Sequence, residues 1–144
     1  MLEVLPTTVH HATEVYEAFL AEFDPSLRAS RGFWCTPAPL AEHMVNTVDS
    51  VVREQLGMSH GLLEPSVRII DPAAGTGVFL EAVIRLVVRR AEVLGIPVET
   101  AVRSLAGRLS GIELMLAPVT VARARSAALL RTLDVDVDPR AFDL

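Results

Sequence analysis

Four residues have types and spacing that point to chemistry: Asp71, Gly75, Gly77 and, 42 positions after the first, Glu113. Gly75 and Gly77 permit positive φ and close approach of a ligand to the backbone. The helical pattern that begins at Val78 turns its free N–H groups toward the same loop, which favours a carboxylate or phosphate. Asp71, immediately before the loop, suits a ligand that also carries an ammonium group, so an amino acid moiety meets both demands. No Gly-Lys-Ser/Thr follows, which excludes a Walker phosphate loop. A dinucleotide fingerprint is a poor match, because Leu80 stands at its third glycine position and the acid precedes the loop. Glu113 can accept both hydroxyls of a ribose, as acids at strand ends do in nucleotide-binding α/β folds. Each feature also has a plain structural reading: the glycines as a strand-to-helix turn, Glu113 as a solvated carboxylate.

These residues need elements to position them, and the sequence supplies the elements. Val67, Ile69 and Ile70 form the apolar run of a strand buried on both faces of a parallel sheet, and Pro72 forbids its continuation. From Val78 to Ala91 apolar residues cover most of a helix, leaving Glu81, Arg85, Arg89 and Arg90 as a polar stripe. The Gly loop therefore lies at the carboxyl end of a strand, where open α/β sheets bind ligands. Gly95-Ile96-Pro97 breaks the helix, residues 98–106 make a short second one, residues 108–113 a brief strand ending at Glu113, and residues 116–130 another helix. The segment between Asp71 and Glu113 is ample for a crossover joining adjacent parallel strands.

Upstream, Val15, Tyr16, Phe19, Leu20 and Phe23 recur at helical spacing until Asp24-Pro25 ends the run. An irregular stretch then leads to a helix over about 37–56, with Thr36 as N-cap and Pro37 at the first helical position. Leu40, Met44, Val45, Val48, Val51, Val52 and Leu56 form its apolar stripe, and Gly57 marks its stop. Residues 58–66, with Gly61 and Pro65, read as a linker.

Composition bounds the function. The 144 residues suffice for one domain with a real core, and a hydrophobic content of 51% with mean hydropathy +0.40 implies surface meant to be covered. A net charge of −5 argues against gripping phosphate backbones unaided. Cys35, the single cysteine, has no internal disulfide partner, and His10, His11, His43 and His60 show no metal-ligand spacing. No apolar stretch approaches the ~20 residues of a membrane span. The chain reads as soluble and cytoplasmic, with no metal and no membrane partner.

The string Asp71-Pro72-Ala73-Ala74-Gly75-Thr76-Gly77-Val78-Phe79-Leu80 resembles the S-adenosylmethionine loop of the adenine-N6 DNA methyltransferases, Asp-Pro-Ala/Pro-Cys-Gly-Thr/Ser-Gly-x-Phe-Leu. Ala74 replaces the usual cysteine with another small residue. Arg31-Gly32-Phe33-Trp34-Cys35-Thr36-Pro37 is similar to the family's Arg-Gly-x-Tyr-Tyr-Thr-Pro segment, with Trp34 as the first aromatic and Cys35 in place of the second. Gly111-Ile112-Glu113-Leu114-Met115-Leu116-Ala117-Pro118 resembles Gly-Phe-Glu-Leu-x-x-Ala-Pro. The three matches stand in the order found in large single-chain restriction-modification enzymes and cover roughly residues 10–130.

The resemblance implies an α/β chain: a partial Rossmann-like S-adenosylmethionine-dependent methyltransferase fold preceded by a helical segment. Residues 1–57 would be that segment, carrying the aromatic-Thr-Pro motif, and 58–144 the first half of the cofactor-binding domain. It implies a cofactor site of Phe33, Trp34, Thr36, Pro37, Asp71, Pro72, Ala73, Gly75, Thr76, Gly77, Glu113 and Leu114, the last beside the adenine ring, and no catalytic residue. The family holds its flipped base with an Asn/Asp-Pro-Pro-aromatic segment, which does not occur here; Asp138-Pro139-Arg140-Ala141-Phe142 lacks the second proline. The expected protein is thus the cofactor-binding part of a DNA adenine-N6 methyltransferase of a restriction-modification or phage-defence system, inactive alone. DNA would be met through parts missing from this chain, on a polypeptide that supplies catalysis and target recognition. Alternatives are a non-catalytic cofactor-binding or interaction subunit, and a methyltransferase for protein or RNA. A central strand paired on one side only should leave an edge and apolar helix faces open.

Overall fold

The computed structural model describes residues 36–143 and two exposed helical residues, Ala18 and Glu22. The rest of the helix expected over 15–23, and Phe33 and Trp34 of the expected cofactor site, lie outside the described residues. The elements are α1 (Ala38–Glu54), a 3-10 turn (Gly61–Leu63), β1 (Ile69–Asp71), α2 (Val78–Leu94), α3 (Val98–Ala106), β2 (Leu109–Gly111), α4 (Leu116–Thr132) and a second 3-10 turn (Pro139–Ala141). The two strands pair in parallel, Ile69 opposite Leu109 and Asp71 opposite Gly111. On the far side of β2, Ser110 bridges Asp143 in parallel and the Gly111 N–H donates to the Asp143 carbonyl at 2.7 Å. The other edge of β1 has no partner strand among the described residues.

Helix α2 is the spine. Leu80, Ile84 and Val87 are fully buried, and the helix packs against both α1 and α3. Truncating Ile84 to alanine costs about 2–5 kcal/mol in sites of this kind. The helix ends at Gly95, whose φ of 68° is the left-handed conformation that a side chain resists, and Ile96-Pro97 then starts α3. Ala41, Val45 and Val52 of α1 belong to the same hydrophobic cluster as α2, α3 and β2.

Four expectations need correction. Thr36 does not cap α1: Pro37, at ψ 136°, is the N-cap, no side chain caps the helix, and Pro39 sits in the first turn, where its missing N–H costs nothing. Ile70 is 62% exposed, so β1 is not buried on both faces; nothing among the described residues covers its outer face. The expected linker holds core residues: Leu62 and Leu63 are buried, because Asp49 on α1 accepts the Leu62 N–H at 2.8 Å and Arg108 holds the turn's carbonyls. Gly61 is required there, since a Cβ would collide with the Asp49 carboxylate. Glu81, read as part of a polar stripe, is 7% exposed and ion-paired rather than on an open face.

A hollow of about 270 Å³ beside β1 is lined by Met44, Val48, Ile70, Phe79 and Val83, among others. Leu40, Met44, Val48 and Val51 run down α1 as a stripe of exposed apolar side chains. The exposed apolar helix face expected from the sequence is present on α1.

Candidate functional site

Two loops meet at the carboxyl ends of β1 and β2. Residues 72–77 follow β1, and residues 112–115 follow β2 and lead into α4. They are laced by backbone bonds: the Ile112 N–H donates to the Asp71 carbonyl at 2.8 Å, and the Ala74 N–H to the Ile112 carbonyl at 2.9 Å. Gly75 and Gly77 have φ of 51° and 79°, and Gly77 is the N-cap of α2. At Gly77 a second constraint acts, since a Cβ there would lie 2.8 Å from Ala122 Cβ on α4.

Glu113 bridges the loops. Its Oε2 accepts the Gly75 N–H at 3.0 Å and its Oε1 accepts the Met115 N–H at 2.9 Å. It lies two residues past the end of β2 rather than at the strand terminus, because the backbone leaves the ladder at Ile112 to reach Asp71 and Ala74. Each carboxylate oxygen keeps a further lone pair for a hydroxyl donor. Asp71 Oδ1 accepts the Ala73 N–H at 3.1 Å, whereas Asp71 Oδ2 is buried with no hydrogen-bond partner. A buried carboxylate oxygen left unsatisfied is costly unless a ligand supplies the donor.

The structure thus brings together Asp71, Gly75, Gly77 and Glu113. Pro72 and Ala73 are exposed at the loop surface, Thr76 is buried within it, and Leu114 is 87% exposed beside Glu113. Thr36 and Pro37 stand at the start of α1, half-buried and exposed respectively. Phe142, the aromatic of the Asp-Pro echo, is buried in the core.

The residue missed from sequence is Glu81, one turn into α2. Arg125 of α4 donates to its Oε2 through Nε at 3.0 Å and Nη2 at 2.6 Å; Arg85 donates to Oε1 through Nε and Nη2 at 3.0 and 2.8 Å. Burial pushes the Glu81 carboxyl pKa up, but the charge and hydrogen bonds of Arg125, then of Arg85, outweigh burial and hold it below the ordinary value. A Glu on a mostly apolar helix carries no sequence signal of its partner 44 residues away. Among the described residues no group of three His, Cys, Asp or Glu could hold a metal ion, and no helix is long and apolar enough to cross a membrane.

The fold has solved relatives. A DrdV–DNA complex determined by cryo-EM matches with a TM-score of 0.76 at 21% identity, covering 94% of this chain and 12% of that one. The ATP-dependent Type ISP restriction-modification enzyme LlaBIII, bound to DNA, matches with a TM-score of 0.69 at 19% identity, covering 89% of this chain and 9% of that one. The chain therefore spans about a tenth of the length of each. No curated protein matches it. The N-6 DNA Methylase family model matches residues 8–124, which take in the Gly loop, Glu113 and the start of α4, and the chain belongs to that family.

Proposed function

We propose that the chain is the S-adenosylmethionine-binding part of a site-specific DNA adenine-N6 methyltransferase of a restriction-modification system, with a partial Rossmann-like architecture. The observation that carries this reading is the unsatisfied, buried Oδ2 of Asp71, set beside a Gly loop that Glu113 bridges. Asp71 would accept from the cofactor's ammonium group, and Glu113 would accept from its ribose hydroxyls with the lone pairs its present bonds leave over. Gly75 and Gly77 allow the backbone to come close, and Leu114 offers an apolar surface for the adenine ring. Thr36 and Pro37, with Phe33 and Trp34, complete the site on this reading, and Pro72, Ala73 and Thr76 shape its loop. When bound, the cofactor supplies a methyl group on a sulfonium; the chain's own residues bind and orient it, and positioning is the main catalytic contribution.

The DNA complexes of the two solved relatives support a DNA substrate for the whole enzyme. The base-holding segment and target recognition come from further polypeptide on this reading, and the edge of β1 that has no partner strand among the described residues, with the apolar stripe of α1, suits such an addition. A cytoplasmic location follows from this reading. Amide NMR shifts during titration with S-adenosylmethionine test it. Saturable shifts centred on Gly75, Gly77 and Leu114 are expected; an unchanged spectrum at millimolar cofactor contradicts the reading.

A further inference from the structure

Glu81 and Arg125 are not among the residues expected to hold the ligand, yet their ion pair joins the segments that build that site. Glu81 lies four residues after Gly77 on α2, and Arg125 lies on α4, the helix that Glu113 and Met115 lead into. Both side chains are buried. About one turn earlier on each helix, Gly77 meets Ala122 so closely that only glycine fits. Two contacts, 77 with 122 and 81 with 125, thus fix both the distance and the axial register between the starts of α2 and α4. Ala38, the first residue of α1 after Thr36-Pro37, lines the same small hollow as Glu81, Arg85 and Arg125.

We infer that Glu81 and Arg125 are positioning residues, which hold the loops 72–77 and 112–115 at the separation that lets Glu113 reach the Gly75 N–H. This deepens the proposed cofactor site and rests on that reading for its consequence in binding. The physical case is one of geometry rather than net stability. A buried ion pair loses much of its attraction to desolvation, but its forked hydrogen bonds are satisfied in only one arrangement of the two helices. Asp49 is the internal contrast: it is as buried as Glu81, but it holds the Leu62 N–H, Arg53 of its own helix and, at 3.7 Å, Arg90 in the last turns of α2, away from both loops.

The test compares Glu81→Gln, Arg125→Lys and Asp49→Asn in the full chain by amide hydrogen exchange and by S-adenosylmethionine titration. In Glu81→Gln, protection of the Gly75 and Met115 amides should fall at least about tenfold more than that of Val102 and Leu105 in α3. Cofactor affinity should fall at least about tenfold as well. Arg125→Lys, which keeps the charge and loses the fork, should give a smaller loss of both and serves if Glu81→Gln fails to fold. Asp49→Asn should lower the melting temperature while sparing Gly75, Met115 and affinity. Equal loss of protection in α3 and at the loops, or an Asp49→Asn loss matching that of Glu81→Gln, overturns the positioning role. A wild-type chain that binds no cofactor overturns the cofactor reading instead, and exchange at Gly75 and Met115 still decides the positioning role.

Discussion

The two ends of the β1–β2 pair are built differently. At the amino-terminal end, Arg108 donates through Nη1 to the Leu62 and Val67 carbonyls, both at 2.9 Å, and through Nη2 to Leu63 at 3.1 Å. Its own carbonyl accepts the Ile69 N–H at 2.8 Å, and only its Nε is left over. Burial pushes the Arg108 pKa down, with the charge of Glu64 opposing, but the guanidinium remains charged. That end is closed on itself. At the carboxyl-terminal end the backbone is laced equally well, yet a carboxylate oxygen of Asp71 is buried without a donor and Leu114 stands in solvent. The amino-terminal end spends nearly all its polar groups on the fold itself, whereas the carboxyl-terminal end leaves a carboxylate oxygen without a donor.

The sharpest way to break this contrast is to exchange which end fails. Arg108→Met strips three carbonyls of their donor and should cost about 3 kcal/mol in urea unfolding, each lost bond being worth about 1 kcal/mol or more. The folded fraction should bind cofactor as before. Gly77→Ala places a Cβ at positive φ and against Ala122, and should cost about 2 kcal/mol by the same assay while also weakening binding. Asp71→Ala should move stability by less than about 1 kcal/mol, since it removes an unsatisfied oxygen along with one local bond. Its cofactor affinity, read by equilibrium dialysis, should drop about tenfold or more, equivalent to about 1.4 kcal/mol.

Acid should weaken the junction of α2 and α4. The Glu81 pKa is lower in the folded chain than its ordinary value of 4.5, so the unfolded chain binds the proton more readily. Its contribution is fully present above that value and is lost as pH falls through the lower folded value. Unfolding free energy measured from pH 6 to pH 3 should decline less steeply in Glu81→Gln than in the wild type. The smallest effect is expected at the exposed stripe of α1. Val48→Lys should change stability by less than about 0.5 kcal/mol, as surface substitutions do, yet reduce self-association in sedimentation velocity.

Much of the positioning frame was legible in the chain. Helix α3 has the limits expected, Val98–Ala106, because Pro97 and Gly107 bracket it, and α2 begins at Val78 and stops at Gly95 because Gly77 and Gly95 take left-handed φ. Asp71, Gly75, Gly77 and Glu113 come together as their spacing implied, through one parallel crossover. What stayed hidden has no local signature. Arg108 reads as a strand residue and Glu81 as one of a polar stripe, because the partners that bury them lie 41–46 and 44 residues away and only the tertiary fold reveals them. Residues 58–66 read as linker from their Gly and Pro, while the burial of Leu62 and Leu63 depends on Asp49 reaching across from α1. The exposure of Ile70 is likewise something that a run of β-branched residues does not disclose.

Calorimetric titration of the purified chain asks directly whether the carboxyl end of the strands holds S-adenosylmethionine. The wild type should bind with a saturable heat, and an Asp71→Ala, Glu113→Ala double variant that melts at a similar temperature should show none. A folded wild type that takes up no cofactor, or a double variant that binds it equally well, would contradict the account.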